Sequence, residues 1–144
     1  MRTYTALIAV LALSFAAAAG RTVATAQAEK TTWSGIFTAE QATRGKDKAI
    51  AACGSCHGAT LAGDLAPTLV GNDFIGHWYD SKLGELSMKV SVTMPADSPG
   101  SLKPEEYADV LAYMLQANGF PAGTETLKLE PAAALDAIKI TKAK

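Results

Sequence analysis

The pentapeptide Cys53-Gly54-Ser55-Cys56-His57 constrains the fold of this chain more than any other feature. Two cysteines three positions apart, followed directly by a histidine, are the pattern by which a haem c group is attached. Each thiol adds to one vinyl group on the same side of the porphyrin, so the two sulfurs must lie one short turn apart. The imidazole is then brought under the iron. We therefore predict one covalent haem c, with Cys53 and Cys56 as attachment points and His57 as an iron ligand.

Three other uses of the cysteines fit the sequence less well. A thioredoxin-like redox pair is expected near a strand–helix–strand pattern, whereas residues 44–52 before the motif are polar and helical in pattern. A tetrahedral zinc site needs about two further Cys or His ligands at motif spacing, and His77 is the only other histidine. A structural disulfide across this spacing would close a very small loop and stabilise little.

The N-terminus has the pattern of a secretory signal peptide. Arg2 supplies a positive charge, and residues 6–19 form an apolar run too short to span a bilayer comfortably. We predict a signal peptide over residues 1–28 with cleavage after Ala28, and cleavage after Ala26 is the alternative. An uncleaved segment would anchor the protein to the membrane. Export to the periplasm agrees with the haem prediction, because c-type attachment is expected outside the cytoplasm.

Without Arg2 and Arg21, the 116 remaining residues carry 11 basic and 14 acidic side chains, a net charge of −3. This length corresponds to one domain. The mildly acidic balance gives no support for nucleic-acid binding and argues against a strongly basic docking surface. A domain this small buries a modest core, so the haem would supply much of the apolar surface.

The first predicted helix leads into the haem motif. Thr38 and Gln41 form a capping box for a helix from Ala39 to about Ala52. Gly45 is unusual in the middle of a helix, where glycine costs about 1 kcal/mol relative to alanine. It indicates either a close crossing by another helix or a tolerated weak position.

The remaining pattern predicts an ordered loop, two helices and a less certain tail, with no convincing strands. The loop is rich in Gly and Pro, and its length suggests that it wraps a haem edge. The second predicted helix ends where a proline prevents it from continuing. The third predicted helix is defined by an apolar stripe and by a glycine after its C-terminal end. The predicted segments are the loop 58–72, a helix 82–93 capped by Ser81 and ending at Met94-Pro95, a helix from Pro104 closed by Gly119, and a short helix from Pro131 through Ile140.

These features occur in an order that resembles a class I, monohaem cytochrome c. A helix precedes the cysteine motif, a proline-bearing loop follows it, and Met94-Pro95 comes before a closing amphipathic helix. The resemblance covers residues 38–120, so that residues 29–37 and 121–144 would be N- and C-terminal extensions. It implies an all-α fold, a small orthogonal helical bundle around one covalently bound haem.

The resemblance also implies roles for individual residues. Cys53 and Cys56 would carry the thioether bonds, and His57 would be the proximal ligand of the iron. Met94 would be the distal ligand, in a His/Met pairing that raises the reduction potential. The Pro67 carbonyl would orient the proximal imidazole through its other ring nitrogen.

Other side chains compete with Met94 for the distal position. Met88 is predicted to be a packing residue in the middle of a helix, and Met114 lies on the apolar stripe of the closing helix. His77 would give a bis-histidine centre of lower potential, but it lies in a loop-like stretch beside Trp78. Met94 is favoured because Pro95 breaks the helix there and can turn the methionine side chain inward.

A narrower resemblance concerns the partners of the protein. The segments 33–38 and 107–113 are similar to bacterial periplasmic cytochromes found with quinoprotein alcohol dehydrogenases. This implies a single-electron carrier between a dehydrogenase and an acceptor, with periplasmic or membrane-bound redox partners. The protein is not expected to be an enzyme, to act on a small-molecule substrate or to bind nucleic acid. The alternatives are an open-site haem protein, a thiol oxidoreductase and a subunit of a larger dehydrogenase or oxidase complex.

Overall fold

The computed structural model describes residues 29–142, and their fold is the predicted all-α bundle with one minimal strand pair. The predicted signal peptide lies outside the described residues. Between residues 29 and 142, no helix is long and apolar enough to cross a bilayer. The elements, in chain order, are β1 (Lys30–Thr31), α1 (Ala39–His57), α2 (Gly71–Trp78), α3 (Leu83–Thr93), α4 (Pro104–Ala117), α5 (Ala132–Asp136) and β2 (Ile138–Lys139).

Helix α1 begins at the predicted cap but without the full capping box. The Thr38 hydroxyl accepts a hydrogen bond from the backbone N–H of Gln41 at 3.2 Å. The Gln41 side chain does not return to Thr38, so that part of the prediction is wrong. Its amide instead donates to the Leu127 carbonyl at 2.8 Å and accepts from the Leu127 N–H at 2.9 Å. Because Gln41 is 2% exposed, this pairing satisfies a buried amide and fixes the C-terminal segment onto α1.

The haem motif lies within the last turns of α1, since the helix continues to His57 rather than ending near Ala52. No residue in this stretch breaks a helix until Gly58, which adopts a positive φ of 81°. The predicted end is therefore wrong by about one and a half turns. Placing both cysteines on one helix gives them a fixed relative position.

The most extensive contact between elements is made by α1 and α4. A Cβ atom at Gly45 would lie 1.8 Å from the Asp109 carbonyl oxygen, so the two backbones approach as closely as glycine allows. The close-crossing interpretation of Gly45 is confirmed. The Arg44 guanidinium braces the crossing with two hydrogen bonds to the Asp109 carboxylate, at 2.8 and 2.9 Å.

Helices α3 and α4 agree closely with prediction, whereas α2 was not predicted. Helix α3 starts with Lys82 in the cap position, so the predicted Ser81 cap is wrong. Gly119 closes α4 with a positive φ of 84°, as expected. Helix α2 was missed because its eight residues include Gly71 and Gly76, which obscure a short amphipathic pattern. Because α2 begins at Gly71, the loop after the haem motif is two residues shorter than the predicted loop 58–72.

The C-terminal segment combines a short helix with a strand. The predicted helix over 131–140 is only α5, after which the chain extends and β2 pairs in parallel with β1. Two residues per strand are too few to show an alternating pattern in the sequence. Leu135, Ile138 and Ile140 are buried, so this segment contributes to the same hydrophobic core as the helices.

The crossing geometry predicts that Gly45→Ala is strongly destabilising. The added methyl group would force α1 and α4 apart, and overpacking of this kind costs about 2–3 kcal/mol. Denaturant unfolding of the haem-loaded protein would measure the loss in the free energy of unfolding.

Gly76→Ala is the matched control, since Gly76 is also helical and no described atom outside its own helix lies within 4 Å of the place that a Cβ would take. We expect this variant to be unchanged or more stable by up to about 1 kcal/mol. Equal stability of the two variants would contradict the close contact at Gly45.

Candidate haem site

A cavity of about 380 Å³ lies between the end of α1, the following loop, α2, α3 and α4. Its lining is predominantly apolar, with a few polar groups that include both histidines. The lining residues are Cys53, His57, Pro67, Thr68, Leu69, Asp73, Phe74, His77, Trp78, Leu86, Lys89, Val90, Met94, Val110 and Met114. The structure therefore brings Met94 to the same cavity as Cys53 and His57, although it lies far from them in the sequence.

His57 is held in a single orientation at the end of α1. Its side chain is 7% exposed, and Nδ1 lies 2.6 Å from the Pro67 carbonyl oxygen. A carbonyl oxygen can only accept, so Nδ1 donates and carries the ring proton. Nε2 of the neutral ring then keeps its lone pair, which is the form in which imidazole binds a metal. The contact between Pro67 and His57 implied by the resemblance is present.

The loop after the motif is ordered by backbone hydrogen bonds to the end of α1. The N–H groups of Gly63 and Ala66 donate to the carbonyls of His57 and Cys56, each at 2.9 Å. These bonds satisfy carbonyl groups that have no partner within the helix. Leu61 is fully buried and anchors the centre of the loop. The loop therefore fixes the Pro67 carbonyl relative to the His57 ring.

The two cysteines lie in different environments. Cys53 is partly buried and lines the cavity, whereas Cys56 is exposed, and the two sulfurs are not joined in a disulfide. Burial raises the pKa of the Cys53 thiol, and the charge of Cys56 adds to the effect. Catalytic redox cysteines have lowered pKa values, because the thiolate is the reactive form. The raised pKa disfavours Cys53 as the attacking thiol of a redox pair.

The candidate distal ligands differ in their positions. Met94 is partly buried at the C-terminal end of α3 and lines the cavity with His57. Met88 is 65% exposed and does not line the cavity, so its predicted packing role is wrong. Its helix faces the core through Leu86 and Val90 instead. Met114 is buried in the core, with 1% of its surface exposed, and it also borders the cavity.

His77 lies near the end of α2 rather than in the predicted loop. It is exposed and borders the cavity, with its ring edge-on to Trp78 at a centroid distance of 5.2 Å. Trp78 is partly buried and lines the cavity.

Sequence reasoning missed Asn118, which connects α4 to the loop that carries Pro67. Its side-chain amide donates to the Leu69 carbonyl at 2.9 Å, and its side-chain oxygen accepts from the Gly71 N–H at 2.8 Å. An asparagine before Gly119 signals only a helix end, because nothing in the local sequence identifies its distant partners.

Haem c fits this arrangement on chemical grounds. The cavity is largely apolar, an imidazole with an available Nε2 and a thioether border it, and the two thiols lie on the helix that ends in His57. Soft sulfur and imidazole donors are the ligand types that hold haem iron in cytochromes c.

Comparison with known proteins identifies the class. Residues 40–114 match the family described as cytochrome C oxidase, cbb3-type, subunit III. The match covers more than half of the chain, which therefore belongs to this family of c-type cytochrome domains. The prediction of a covalently bound haem c with its iron is confirmed, as is its general role in haem-based electron transfer.

A solved structure shows a similar fold. The crystal structure of the sulfane dehydrogenase SoxCD from Paracoccus pantotrophus contains a chain that superposes with a TM-score of 0.56 at 20% sequence identity. The alignment covers 75% of this chain and 61% of that chain, so the present protein spans about three fifths of its length. No curated protein sequence matches the chain.

The contacts of Asn118 predict that Asn118→Ala loosens the loop beside His57. The variant leaves the Leu69 carbonyl and the Gly71 N–H without their partners, so we expect a loss of about 1–2 kcal/mol in the free energy of unfolding. Amide hydrogen exchange at Gly71 should become faster. Urea unfolding and exchange measured by NMR on the reduced haem protein would test both effects.

Asn72→Ala is a suitable control, because Asn72 is an exposed residue on α2. A surface change of this kind is expected to alter stability by less than about 0.5 kcal/mol. Slow exchange at Gly71 in both variants would show that the Asn118 amide does not hold the loop.

Proposed function

We propose that the protein is a periplasmic single-electron carrier with one haem c attached through Cys53 and Cys56 and bound by His57 and Met94. The observation that supports this most strongly is that His57 and Met94 line one apolar cavity, with the His57 ring held by the Pro67 carbonyl. When bound, the haem supplies an Fe(III)/Fe(II) couple that accepts and releases one electron.

Met94 is the best candidate for the distal ligand on structural grounds. It lies at a helix end, where its N–H donates to the Val90 carbonyl at 3.1 Å and the next residue is Pro95. Met114 lies in the middle of α4 among buried residues, which favours a packing role. His77 is exposed, so water competes for its ring nitrogens.

The surrounding residues tune the balance between Fe(III) and Fe(II) and exclude water. The thioether is a soft ligand that favours Fe(II). The Pro67 carbonyl makes the His57 imidazole a stronger donor, which acts in the opposite direction by stabilising Fe(III). Phe74, Leu86 and Val90 are buried and line the cavity, so they keep the polarity around the iron low. With both axial positions filled, the protein would have no open site for a substrate.

The proposed donor is a dehydrogenase, for which a quinoprotein is the specific candidate, and the proposed acceptor is a terminal oxidase or another redox protein. The matched family is described as a subunit of an oxidase, and the similar fold occurs in a sulfane dehydrogenase. These descriptions also favour a second candidate function, an electron-transfer subunit of a larger complex. The size of the haem-containing species in a native periplasmic extract would distinguish a free carrier from a subunit.

We propose that electrons leave through the surface around residues 59–66. Cys56 is exposed there, and Leu65 is 83% exposed and able to contact a partner. The mature net charge of −3 provides no strong long-range attraction. Docking would therefore depend on small apolar contacts rather than on complementary charge.

This docking surface predicts a weak dependence of partner reduction on salt. Between about 10 and 200 mM ionic strength, we expect the second-order rate constant to change by less than about threefold, because the small net charge leaves little long-range attraction for salt to screen. Stopped-flow reduction by the purified donor would measure it. A steep decrease with salt would contradict docking over residues 59–66.

Met94→Ala tests the proposed ligation directly. We expect the oxidised protein to lose the weak far-red absorption band that reports Met–Fe(III) bonding, while the haem stays covalently attached. The reduced variant should bind carbon monoxide rapidly, because a coordination position is vacated. Absorption spectra and haem staining after denaturing electrophoresis would measure these changes.

Met88→Ala provides the matched control, since Met88 is exposed and away from the cavity. Its spectra should equal those of the wild type. If the wild-type protein lacks the far-red band and binds carbon monoxide rapidly, the open-site alternative is correct. If it lacks the band but excludes carbon monoxide, His77 becomes the leading distal ligand.

A further inference from the structure

The backbone of Met94 is bonded to a tyrosine on the closing helix. The Tyr107 hydroxyl donates to the Met94 carbonyl oxygen at 2.6 Å, and Tyr107 is 4% exposed. The other hydrogen bond to this carbonyl, from the Gly100 N–H, is long at 3.4 Å. We propose that Tyr107 is a positioning residue, whose hydroxyl holds the Met94 backbone where the thioether can reach the iron. This inference rests on the proposed ligation by Met94.

The methionine side chain itself provides little positional control. Met has three rotatable side-chain bonds, so its sulfur stays near the iron only if the backbone that carries it is held within reach. The N–H of Met94 is fixed by the Val90 carbonyl, and the carbonyl of Met94 is fixed by Tyr107. Together these bonds anchor the peptide groups on both sides of the residue that carries the thioether.

The phenol is also attached to the part of the fold that carries the proximal ligand. Tyr107 lies on α4, two residues before Asp109, whose backbone contacts Gly45 of α1. Helix α1 ends in His57. Tyr107 and the proximal imidazole therefore lie on two helices whose backbones are in direct contact.

The substitution Tyr107→Phe removes the hydroxyl and keeps the buried ring. One ordinary hydrogen bond corresponds to a factor of about two to ten in an equilibrium constant. We expect the population without a Met94–iron bond to rise by this factor. Imidazole titration of the oxidised protein would measure it, because imidazole binds only where Met94 has left. The apparent Kd for imidazole should fall by about two- to tenfold, with partial loss of the far-red band at room temperature.

Tyr113→Phe is the matched control, because it makes the same chemical change on the same helix, and the Met94 carbonyl accepts from Tyr107 rather than from Tyr113. Its imidazole affinity should equal that of the wild type. The second control is Tyr107→Phe in the Met94→Ala background. There imidazole meets no competing thioether, so removing the hydroxyl should leave its affinity unchanged.

The outcomes separate the two proposals. If Tyr107→Phe changes imidazole affinity equally with and without Met94, the tyrosine acts on general stability and the positioning role is wrong. If wild type and Tyr107→Phe share a full far-red band and the same imidazole Kd, the hydroxyl has no positioning role, although Met94 ligation stands. If the wild type has no such band and binds imidazole as tightly as Met94→Ala does, the proposed ligation itself fails.

Discussion

The direct contact between the backbones of α1 and α4 is the constraint on which the rest of this structure depends. Gly45 permits it, because any side chain there would overlap the Asp109 carbonyl. The two helices carry or hold the groups proposed to attach the haem and bind its iron. Helix α1 supplies both cysteines and His57, while α4 bonds to the Met94 turn through Tyr107 and to the loop before α2 through Asn118. One helix pair would therefore hold both proposed iron ligands, while the loop, α2 and α3 supply most of the lining around a bound haem.

The parts of the site that could be predicted from the sequence are those with a local chemical signature. Two cysteines and a histidine at fixed spacing identify the cofactor, and Met94-Pro95 identifies a helix end with a thioether. The apolar stripe of α4 similarly defines its own bounds. In each case the residues that carry the information are neighbours in the chain.

The parts that could not be predicted depend on distant partners. Gln41 has the spacing of a capping-box residue, yet its amide pairs with Leu127, 86 positions away. Asn118 bonds to Leu69 across 49 positions, and the sequence around it signals only a helix end. The partner of the Tyr107 hydroxyl could not be predicted either, because this residue fits an apolar stripe and nothing near it in the sequence points to the Met94 carbonyl. Buried polar groups require partners, but the sequence alone does not say which ones.

The pairing of β1 with β2 places the two ends of the described chain side by side. Lys30 lies opposite Ile138, and the Thr141 N–H donates to the Thr32 hydroxyl at 3.3 Å. A folded unit whose ends meet can be inserted into a surface loop of another protein without being stretched. The same property would let the haem-binding unit be joined to a redox partner through either end from nearly the same point on its surface. The strand pair therefore makes the fold suitable for insertion into, or fusion to, another protein.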